Sequence, residues 1–293
     1  IVTESMVKIS SGGKEEKYIS RIEQDIKVGK GFEDGKILAD KTRKEALFLS
    51  TAAQFNSKLA IGILEAIKNI NIISGVTYQV YQQFTVKKLK EDPEYKEKIL
   101  KYLKEADFCI SGERIQEVDV STVDIKDNPK EFSAVKKIEK GNMLFFKHPI
   151  YDVHNKKIDV FELPLLLEST GTQKFLSVLG PIIDTLANGM VLLIDEFDNS
   201  LHPLLTKFII DLFESREINK NNAQLVVTTH DTSLLSYRDD FIKDQFWFTE
   251  KDEFGSAKLF SLIEFDIRNN TEFGKKYLEG RFGALPFISS VKK

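Results

Sequence analysis

The chain has 293 residues, of which 42% are hydrophobic and 30% charged, so it can bury the core of one large or two ordinary domains. Its formal net charge of -3 excludes a global basic field for nucleic acid, although a local basic patch stays possible. The single cysteine, Cys109, excludes an internal disulfide framework and suits a reducing cytoplasm. No apolar run approaches the roughly 20 residues of a membrane-spanning helix.

The first part of the chain predicts a β-hairpin followed by helices. Residues 1–30 alternate apolar and polar side chains around the turn sequence SSGGK. Residues 41–73 carry apolar side chains at three- and four-residue spacing, which predicts one or two helices with a break near Asn56-Ser57. Helix is expected to continue through 76–108 and to be interrupted at EDPEY.

The second part alternates strand-like and helix-like segments. Strands are predicted in RIQEVDVSTVDI, NMLFFKHPIY and KKIDVFELPLLLE, around the polar, lysine-rich residues 126–141. The later predictions are a helix at 170–187, a strand at 190–195, a helix at 203–214, a strand at 224–229, a short helix after Asp231, and strands near 245–249 and 257–264. This alternation predicts a largely parallel sheet flanked by helices.

The predicted fold class is therefore α/β, with a mixed or parallel sheet flanked by helices, an N-terminal β-hairpin and a helical insertion. We expect a β-rich part over 1–40, the helical insertion over 41–112 and a C-terminal part over 113–293.

The segment GMVLLIDEFDNSLHP, residues 189–203, ends an apolar run in two adjacent carboxylates, Asp195 and Glu196. The run predicts a strand buried on both faces, and ligands of such sheets bind beyond the carboxyl ends of the strands. Unpaired carboxylates there favour magnesium with a nucleotide phosphate, with Asp195 holding the metal through water and Glu196 polarising the attacking water. Alternatively, the acidic strand end caps the next helix, with Asp198 or Asn199 as the N-cap.

Two more segments point to the same edge of the predicted sheet. AQLVVTTHDTSLL predicts the following strand, and His230 at its carboxyl end could reach a γ-phosphate. A lone histidine is more often structural, but its position after the acidic pair favours the functional interpretation. Ser169, Gly171 and Thr172 open a helix, where N–H groups and the helix dipole can bind an anion, although a simple N-cap at Ser169 is the alternative.

The order of these motifs resembles the second half of an ABC-type ATPase head. In this resemblance Ser169–Gln173 corresponds to the signature motif, Asp195 and Glu196 to the Walker B pair, Asp198–His202 to the D-loop, and His230 to the switch histidine. The segments ALFLSTAAQFN and NTEFGKKYLEGRFGALPFI more narrowly resemble AAA-type ATPases of prokaryotic anti-phage and abortive-infection systems, relatives of the overcoming-lysogeny-defect ATPases.

The resemblance implies an ATPase that uses ATP and Mg²⁺ and assembles as a head-to-tail homodimer or larger homo-oligomer. The implied site residues are catalytic Glu196 and His230, metal-binding Asp195, and ATP-contacting Ser169, Gly171, Thr172 and Asp198. Ser169 and Gly171 would approach the phosphates held by a facing subunit, so ATP would join two subunits until hydrolysis separates them. The implied role is cytoplasmic anti-phage defence through a separate effector protein, expected to be a nuclease. The resemblance leaves contact with nucleic acid open and implies no contact with a membrane.

The phosphate-cradling loop G-x-x-x-x-G-K-[ST] does not occur in these 293 residues. The sequence begins in a stretch, IVTESMVKIS, that resembles the middle of a domain, so we expect a preceding segment to carry that loop. The alternative is a pseudo-ATPase scaffold that does not hydrolyse ATP. A further alternative is a DNA-repair ATPase related to the SMC and RecF groups, although no long coiled coil is evident.

Two other features have simpler interpretations. Asp152, His148 and His154 could be imagined as a metal site, but three such residues on a strand-turn-strand segment are more often surface polar groups, and this is the favoured interpretation. The lysine-rich residues 87–105 are best interpreted as a solvated helix face.

Overall fold

The computed structural model describes residues 3–106, 108–125, 134–237, 241–266 and 273–285. These residues form two compact units, Ile1–Asn71 and Ile72–Lys293. The helices are α1 (Phe48–Gln54), α2 (Lys58–Lys68), α3 (Gln79–Glu91), α4 (Pro93–Glu105), α5 (Thr170–Asn188), α6 (Pro203–Glu214) and α7 (Phe273–Leu278). The strands are β1 (Thr3–Ile9), β2 (Glu15–Ile22), β3 (Asp25–Val28), β4 (Ile70–Ser74), β5 (Gly112–Ile125), β6 (Ala134–Tyr151), β7 (Lys157–Pro164), β8 (Val191–Asp195), β9 (Gln224–Val227), β10 (Trp247–Lys251) and β11 (Ala257–Ser261).

The first unit contains the predicted hairpin and adds a third strand to it. Strands β1 and β2 pair antiparallel around a turn in which Gly13 has a φ of 77°, and β3 pairs antiparallel with β2. The predicted helix break is confirmed, because Asn56 has a φ of 64° and Ser57 caps α2 by accepting a hydrogen bond from the Ala60 N–H. The unit has its own small core around Phe32 and Phe48.

A fully buried arginine holds the loop that follows this sheet. The Arg21 guanidinium donates to the carbonyl oxygens of Ala46 at 2.6 Å, Lys44 at 3.0 Å and Glu23 at 2.7 Å. It also lies 3.5 Å from the Glu4 carboxylate, and its side chain is completely buried. The planar fork of arginine can satisfy several main-chain acceptors at once, so one side chain fixes residues 43–46.

The prediction of helix through Ile73 is wrong at its end. Helix α2 ends at Lys68, and Ile70–Ser74 forms β4, which lies beside β8 in a three-stranded sheet. A short apolar run such as INIIS has no periodicity that separates strand from helix. Pairing with β8 therefore decided the structure of this segment.

The second unit contains both parallel and antiparallel sheets. Strands β4, β8 and β9 form one sheet in which β8 and β9 are parallel, while β5-β6-β7 and β10-β11 are antiparallel. The predicted α/β class is confirmed as a mixed fold with parallel and antiparallel sheets flanked by helices, while the narrower expectation of a largely parallel sheet is met by β8 and β9 and not by β5-β6-β7 or β10-β11. The lysine-rich stretch was not predicted as a strand. Its residues 134–141 extend β6 and pair antiparallel with β5, whereas residues 126–133 lie outside the described residues.

The core of the second unit forms around α5. The described helix agrees with the prediction for 170–187, and its Leu176, Leu179 and Ile182 side chains are fully buried. They share one core cluster with Leu192 and Ile194 of β8. Helix α5 therefore anchors the strand that carries the acidic pair.

Several boundaries follow from local chemistry. The predicted break at EDPEY is confirmed, because the Asp92 carboxylate accepts hydrogen bonds from the N–H groups of Glu94 and Tyr95, and Pro93 opens α4. Strand β7 ends at Pro164 and β11 ends at Ser261, each before a short 3₁₀ turn, so both are shorter than predicted. In the part of the chain that the structure describes, no helix has the length and apolarity to cross a membrane.

The buried arginine gives a test of the first unit. We expect Arg21→Met to destabilise this unit by about 3 kcal/mol, because several buried carbonyl groups lose their donor. Lys27→Met is the matched control: its pair with Asp25 is solvent-exposed, so the expected change is below about 1 kcal/mol. Chemical denaturation of both variants measures the difference, and equal effects would contradict an anchoring role for Arg21.

Candidate functional site

The site lies where two neighbouring parallel strands end. Val191 to Ile194 of β8 pair in register with Gln224 to Val227 of β9, so the carboxyl ends of both strands meet at the same edge. Leu192 and Ile194 are buried, which fixes the strand against the core. The chain must therefore place Asp195 next to Thr228, the first residue after β9.

Thr228 binds the acidic pair directly. Its hydroxyl donates to the Asp195 carboxylate at 2.5 Å and accepts a hydrogen bond from the Glu196 N–H at 2.9 Å. Its carbonyl oxygen accepts a hydrogen bond from the Phe197 N–H at 3.0 Å. Sequence reasoning missed Thr228, although its place beside His230 in the VVTTH segment was the available signal.

The structure brings the predicted histidine to the same edge. The His230 N–H donates to the Asp198 carboxylate at 3.3 Å, which ties the segment after β9 to the segment after β8. The side chains of Asp195, Glu196 and His230 are all exposed. The sequence led us to expect buried carboxylates that require a cation. Because Asp195 and Glu196 are exposed, burial gives no such requirement here.

The segment after β8 has an unusual backbone. Glu196 has a φ of 50° and Ser200 a φ of 60°, and both residues carry side chains that disfavour this left-handed region. Such conformations cost on the order of 1 kcal/mol each and persist where the surroundings impose them. Two groups contact the backbone around Glu196: the Lys174 side chain and the Gly75 main chain.

Lys174 is a fully buried lysine on α5. Its ammonium group donates to the carbonyl oxygens of Phe197 at 3.0 Å and Glu196 at 3.3 Å, and also to that of Asn199. Burial lowers the pKa of Lys174 from its ordinary value of 10.5 to about 8, and the nearby carboxylates of Asp198 and Glu196 oppose this shift. Sequence reasoning missed this residue, although a lysine within the apolar run KFLSVLG was a usable signal.

Gly75 lies directly against the acidic pair from the β4 side. Its N–H donates to the Asp195 carbonyl oxygen at 2.6 Å. A Cβ atom at this position would lie 2.1 Å from the Glu196 carbonyl oxygen, so no other residue fits without a backbone shift. Gly75 follows a strand that the sequence had predicted as helix, which is why its role was missed.

The N-terminus of α5 reaches the same segment. The Ser169 hydroxyl accepts a hydrogen bond from the Thr172 N–H at 3.1 Å and lies 2.7 Å from the Thr172 hydroxyl. Ser169 is thus an N-cap, and Thr172 is buried rather than available to a ligand through its side chain. A Cβ atom on Gly171 would lie 3.3 Å from the Ser200 carbonyl oxygen, so the first turn of α5 touches the D-loop-like segment.

Helix α6 does not begin where the helix-capping interpretation of the acidic segment predicted. His202, and neither Asp198 nor Asn199, is the N-cap of α6, and its Nδ1 accepts a hydrogen bond from the Leu204 N–H at 3.2 Å. Pro203 occupies the first turn, where its missing N–H has no cost. The carboxylate of Asp198 therefore stays free of a helix-capping role and binds the His230 N–H instead.

The imagined metal site around His148 does not form. His148 Nε2 lies 2.7 Å from the Glu168 carboxylate, while the Asp152 carboxylate accepts hydrogen bonds from the N–H groups of His154 and Lys156 in a surface turn. Among the described residues, no group of three or more His, Cys, Asp or Glu side chains could hold a metal ion by itself.

The lysines of α3 and α4 are largely paired with acids. Lys90 lies 2.6 Å from the Glu117 carboxylate and Lys98 lies 2.6 Å from the Glu94 carboxylate. Lys90 also lowers the pKa of Glu117, through its hydrogen bond and its charge. The solvated-face interpretation of residues 87–105 therefore fits better than a basic patch for nucleic acid.

A cleft of about 540 Å³ adjoins the end of β9. Thr228, Thr229 and His230 line one part of it, and Trp247 and Tyr277 are among the residues that line the rest. There is thus open space next to the histidine.

The close approach of Gly75 predicts the effect of a minimal substitution. We expect Gly75→Ala to lower the free energy of unfolding by about 2 kcal/mol or more, because its methyl group would displace the backbone of Glu196. Gly62→Ala is the control: a Cβ at this position within α2 meets nothing within 4 Å, so alanine should stabilise by about 1 kcal/mol. Denaturant titration measures both, and a neutral Gly75→Ala would contradict the described packing.

The lowered pKa of Lys174 predicts a pH dependence of stability. Because the pKa is about 8 in the folded protein and 10.5 ordinarily, the unfolded chain binds more protons between these pH values. The stability of the wild type relative to Lys174→Met should therefore rise with pH across this window, by at most about 3 kcal/mol. Urea denaturation of the two proteins from about pH 7 to about pH 10 measures the difference. A flat or falling difference would show that the ammonium group is not desolvated.

Comparison with protein families gives a match to part of the chain. A family model described as an AAA domain, putative AbiEii toxin, type IV TA system, matches residues 104–236, just under half of the chain. The matched part contains every residue from Ser169 to His230 discussed above. No curated protein and no solved structure matches the chain with significance. The match supports an ATPase family of the AAA or ABC-like, abortive-infection type, while the narrower resemblance to the overcoming-lysogeny-defect ATPases stays a prediction.

Proposed function

We propose that this protein binds and hydrolyses ATP as an ABC-like ATPase. The observation that carries the proposal is the connected arrangement at one sheet edge, where Thr228 bonds to Asp195 and Asp198 bonds to the His230 N–H. The segments after β8 and β9 thus meet through these bonds, the side chains of Asp195, Glu196 and His230 are exposed, and the segment that carries His230 lines a cleft. Phosphoryl transfer needs this kind of positioning more than it needs covalent chemistry from the protein.

The acidic residues fit a magnesium ion that arrives with a nucleotide. Asp195 and Glu196 offer exposed carboxylate oxygens, which are the ligands that Mg²⁺ prefers. Mg²⁺ is usually held by one or two carboxylates, with phosphate and water oxygens as its other ligands. When bound, Mg²⁺ would neutralise charge on the phosphate oxygens.

The side chains at the edge then have distinct proposed roles. Asp195, held by Thr228, would bind the Mg²⁺ ion through water. Glu196 accepts a proton from the attacking water, and its exposed carboxylate leaves room for that water. The His230 ring donates a hydrogen bond to the γ-phosphate, while its main-chain N–H is fixed by Asp198.

The N-terminus of α5 is the proposed contact for a second subunit. The first helical hydrogen bond runs from the Gln173 N–H to the Ser169 carbonyl oxygen, so the N–H groups of Thr170 and Gly171 precede the helical ladder. Such groups, with the helix dipole, bind phosphate. Because the Ser169 and Thr172 hydroxyls bond to each other, we assign the phosphate contact to main-chain N–H groups. A head-to-tail homodimer, or a larger homo-oligomer, would use this contact in trans.

The proposal requires a phosphate-binding loop that is absent from these 293 residues. It would be supplied by a polypeptide segment outside them. A second candidate is a non-hydrolysing scaffold with the same interface. By its similarity to abortive-infection proteins, the ATPase would act in anti-phage defence and control a separate effector, for which a nuclease is our expectation.

The test is ATP turnover by the complete gene product that contains this sequence. We expect Glu196→Gln to lower kcat by about 100-fold or more, because the general base is lost, while ATP binding persists. The variant should accumulate as an ATP-bound dimer in size-exclusion chromatography with light scattering. Asp195→Ala should instead weaken the Mg²⁺-dependent binding of ATP.

Glu217→Gln is the matched control, since it changes an exposed glutamate beyond α6, outside the site. Its turnover should equal that of the wild type. Normal turnover by Glu196→Gln would overturn the base assignment, and a wild type that binds but never hydrolyses ATP would favour the scaffold.

A further inference from the structure

Lys174 has a position that packing alone does not explain. It follows the signature-like residues on α5 and is fully buried, as are its neighbours Phe175 and Leu176. Burying an ammonium group in such surroundings is costly unless its three donors find acceptors. A leucine or methionine would avoid that cost, so the charge is explained by the groups that it binds and not by the volume that it fills.

The acceptors of Lys174 all belong to one short stretch of main chain. The carbonyl groups of Glu196, Phe197 and Asn199 converge on its Nζ atom, which matches the three donors of an ammonium group. This stretch begins with the left-handed Glu196, a conformation that an isolated chain disfavours. Because three carbonyl groups bind the same ammonium group, their orientations are fixed, and so is the path of the backbone. The backbone in turn fixes the position of the Cβ atom of each side chain.

We propose that Lys174 is a positioning residue for hydrolysis, which fixes the main chain from Glu196 to Asn199 and thereby the carboxylates of Glu196 and Asp198. The inference rests on the proposed function, because it assigns Lys174 a part in that same site. Lys174 itself touches neither nucleotide nor water in this role. It acts through the backbone that carries the general base and the residue that holds the His230 N–H.

The same contact joins two regions that would serve different nucleotides. Gly171 lies three residues before Lys174 on α5 and packs against the Ser200 carbonyl oxygen. The first turn of α5 and the stretch from Glu196 to Ser200 are therefore fastened at two points, one polar and one steric. In a head-to-tail dimer, the phosphate contact made in trans and the base acting in cis would consequently move as one body.

The first test needs no activity. Hydrogen exchange should be about tenfold or more faster at the amides of Phe197, Asn199 and Leu201 in Lys174→Met than in the wild type, while the β9 amides stay unchanged. Leu179→Ala is the control, because it removes a fully buried side chain from the same helix and leaves the hydrogen bonds of Lys174 to this stretch in place. Unchanged exchange in Lys174→Met, or the same local increase in Leu179→Ala, would overturn the proposal.

The second test is the turnover of the complete gene product. Lys174→Met should lower kcat by about 100-fold and leave the KM for ATP within about twofold, since misplacing a catalytic group affects chemistry more than binding. Lys174→Gln, which keeps a donor, should fall between this variant and the wild type, and it replaces Lys174→Met if that protein does not fold. Leu179→Ala, compared at equal loss of thermal stability, should keep its kcat.

Two failures can be told apart. A wild type without turnover would refute the proposed ATPase function and leave the hydrogen-exchange test of Lys174 valid. An active wild type with kcat unchanged in folded Lys174→Met would refute the positioning role and leave the ATPase proposal intact.

Discussion

The parallel pairing of β8 with β9 is the constraint on which the site depends. Parallel strands run in the same direction, so the residues after each strand emerge at one edge of the sheet. In this protein that rule brings Asp195 to Thr228 and Asp198 to the His230 N–H, although more than 30 residues separate the partners in the chain. Buried Leu192 and Ile194 hold β8 against the core that α5 forms.

A second layer of contacts gives the edge its detailed shape. The backbone after β8 passes through left-handed Glu196 and Ser200, and it is fastened by the buried ammonium group of Lys174 on one side and by Gly75 on another. Taken alone, both features lower the stability of the fold. The buried Lys174 ammonium group is desolvated, and Gly75 gives the unfolded chain more conformational entropy. Such local costs are typical of places where function requires a fixed geometry.

The elements that were predicted well are those with strong local signals. The length and caps of α5, the break at Asp92 and the hairpin turn before β2 follow from periodicity, capping residues and glycine. The errors lie where local signals are ambiguous. INIIS was assigned to a helix because its apolar residues fit either period, and its place beside β8 made it a strand. The lysine-rich residues 134–141 lack a strand pattern, yet pairing with β5 extends β6 through them.

For the site, the sequence alone determined which chemical groups are available and roughly where they lie. Acidic residues after an apolar run, a histidine after the next one and small residues before a helix all follow from local pattern, because strands and helices of this strength are encoded locally. The tertiary structure decided which groups touch: Thr228 with Asp195, Lys174 with the carbonyl groups after β8, and Gly75 with Glu196. These contacts join distant segments and use main-chain atoms, which carry no signature in the order of residues.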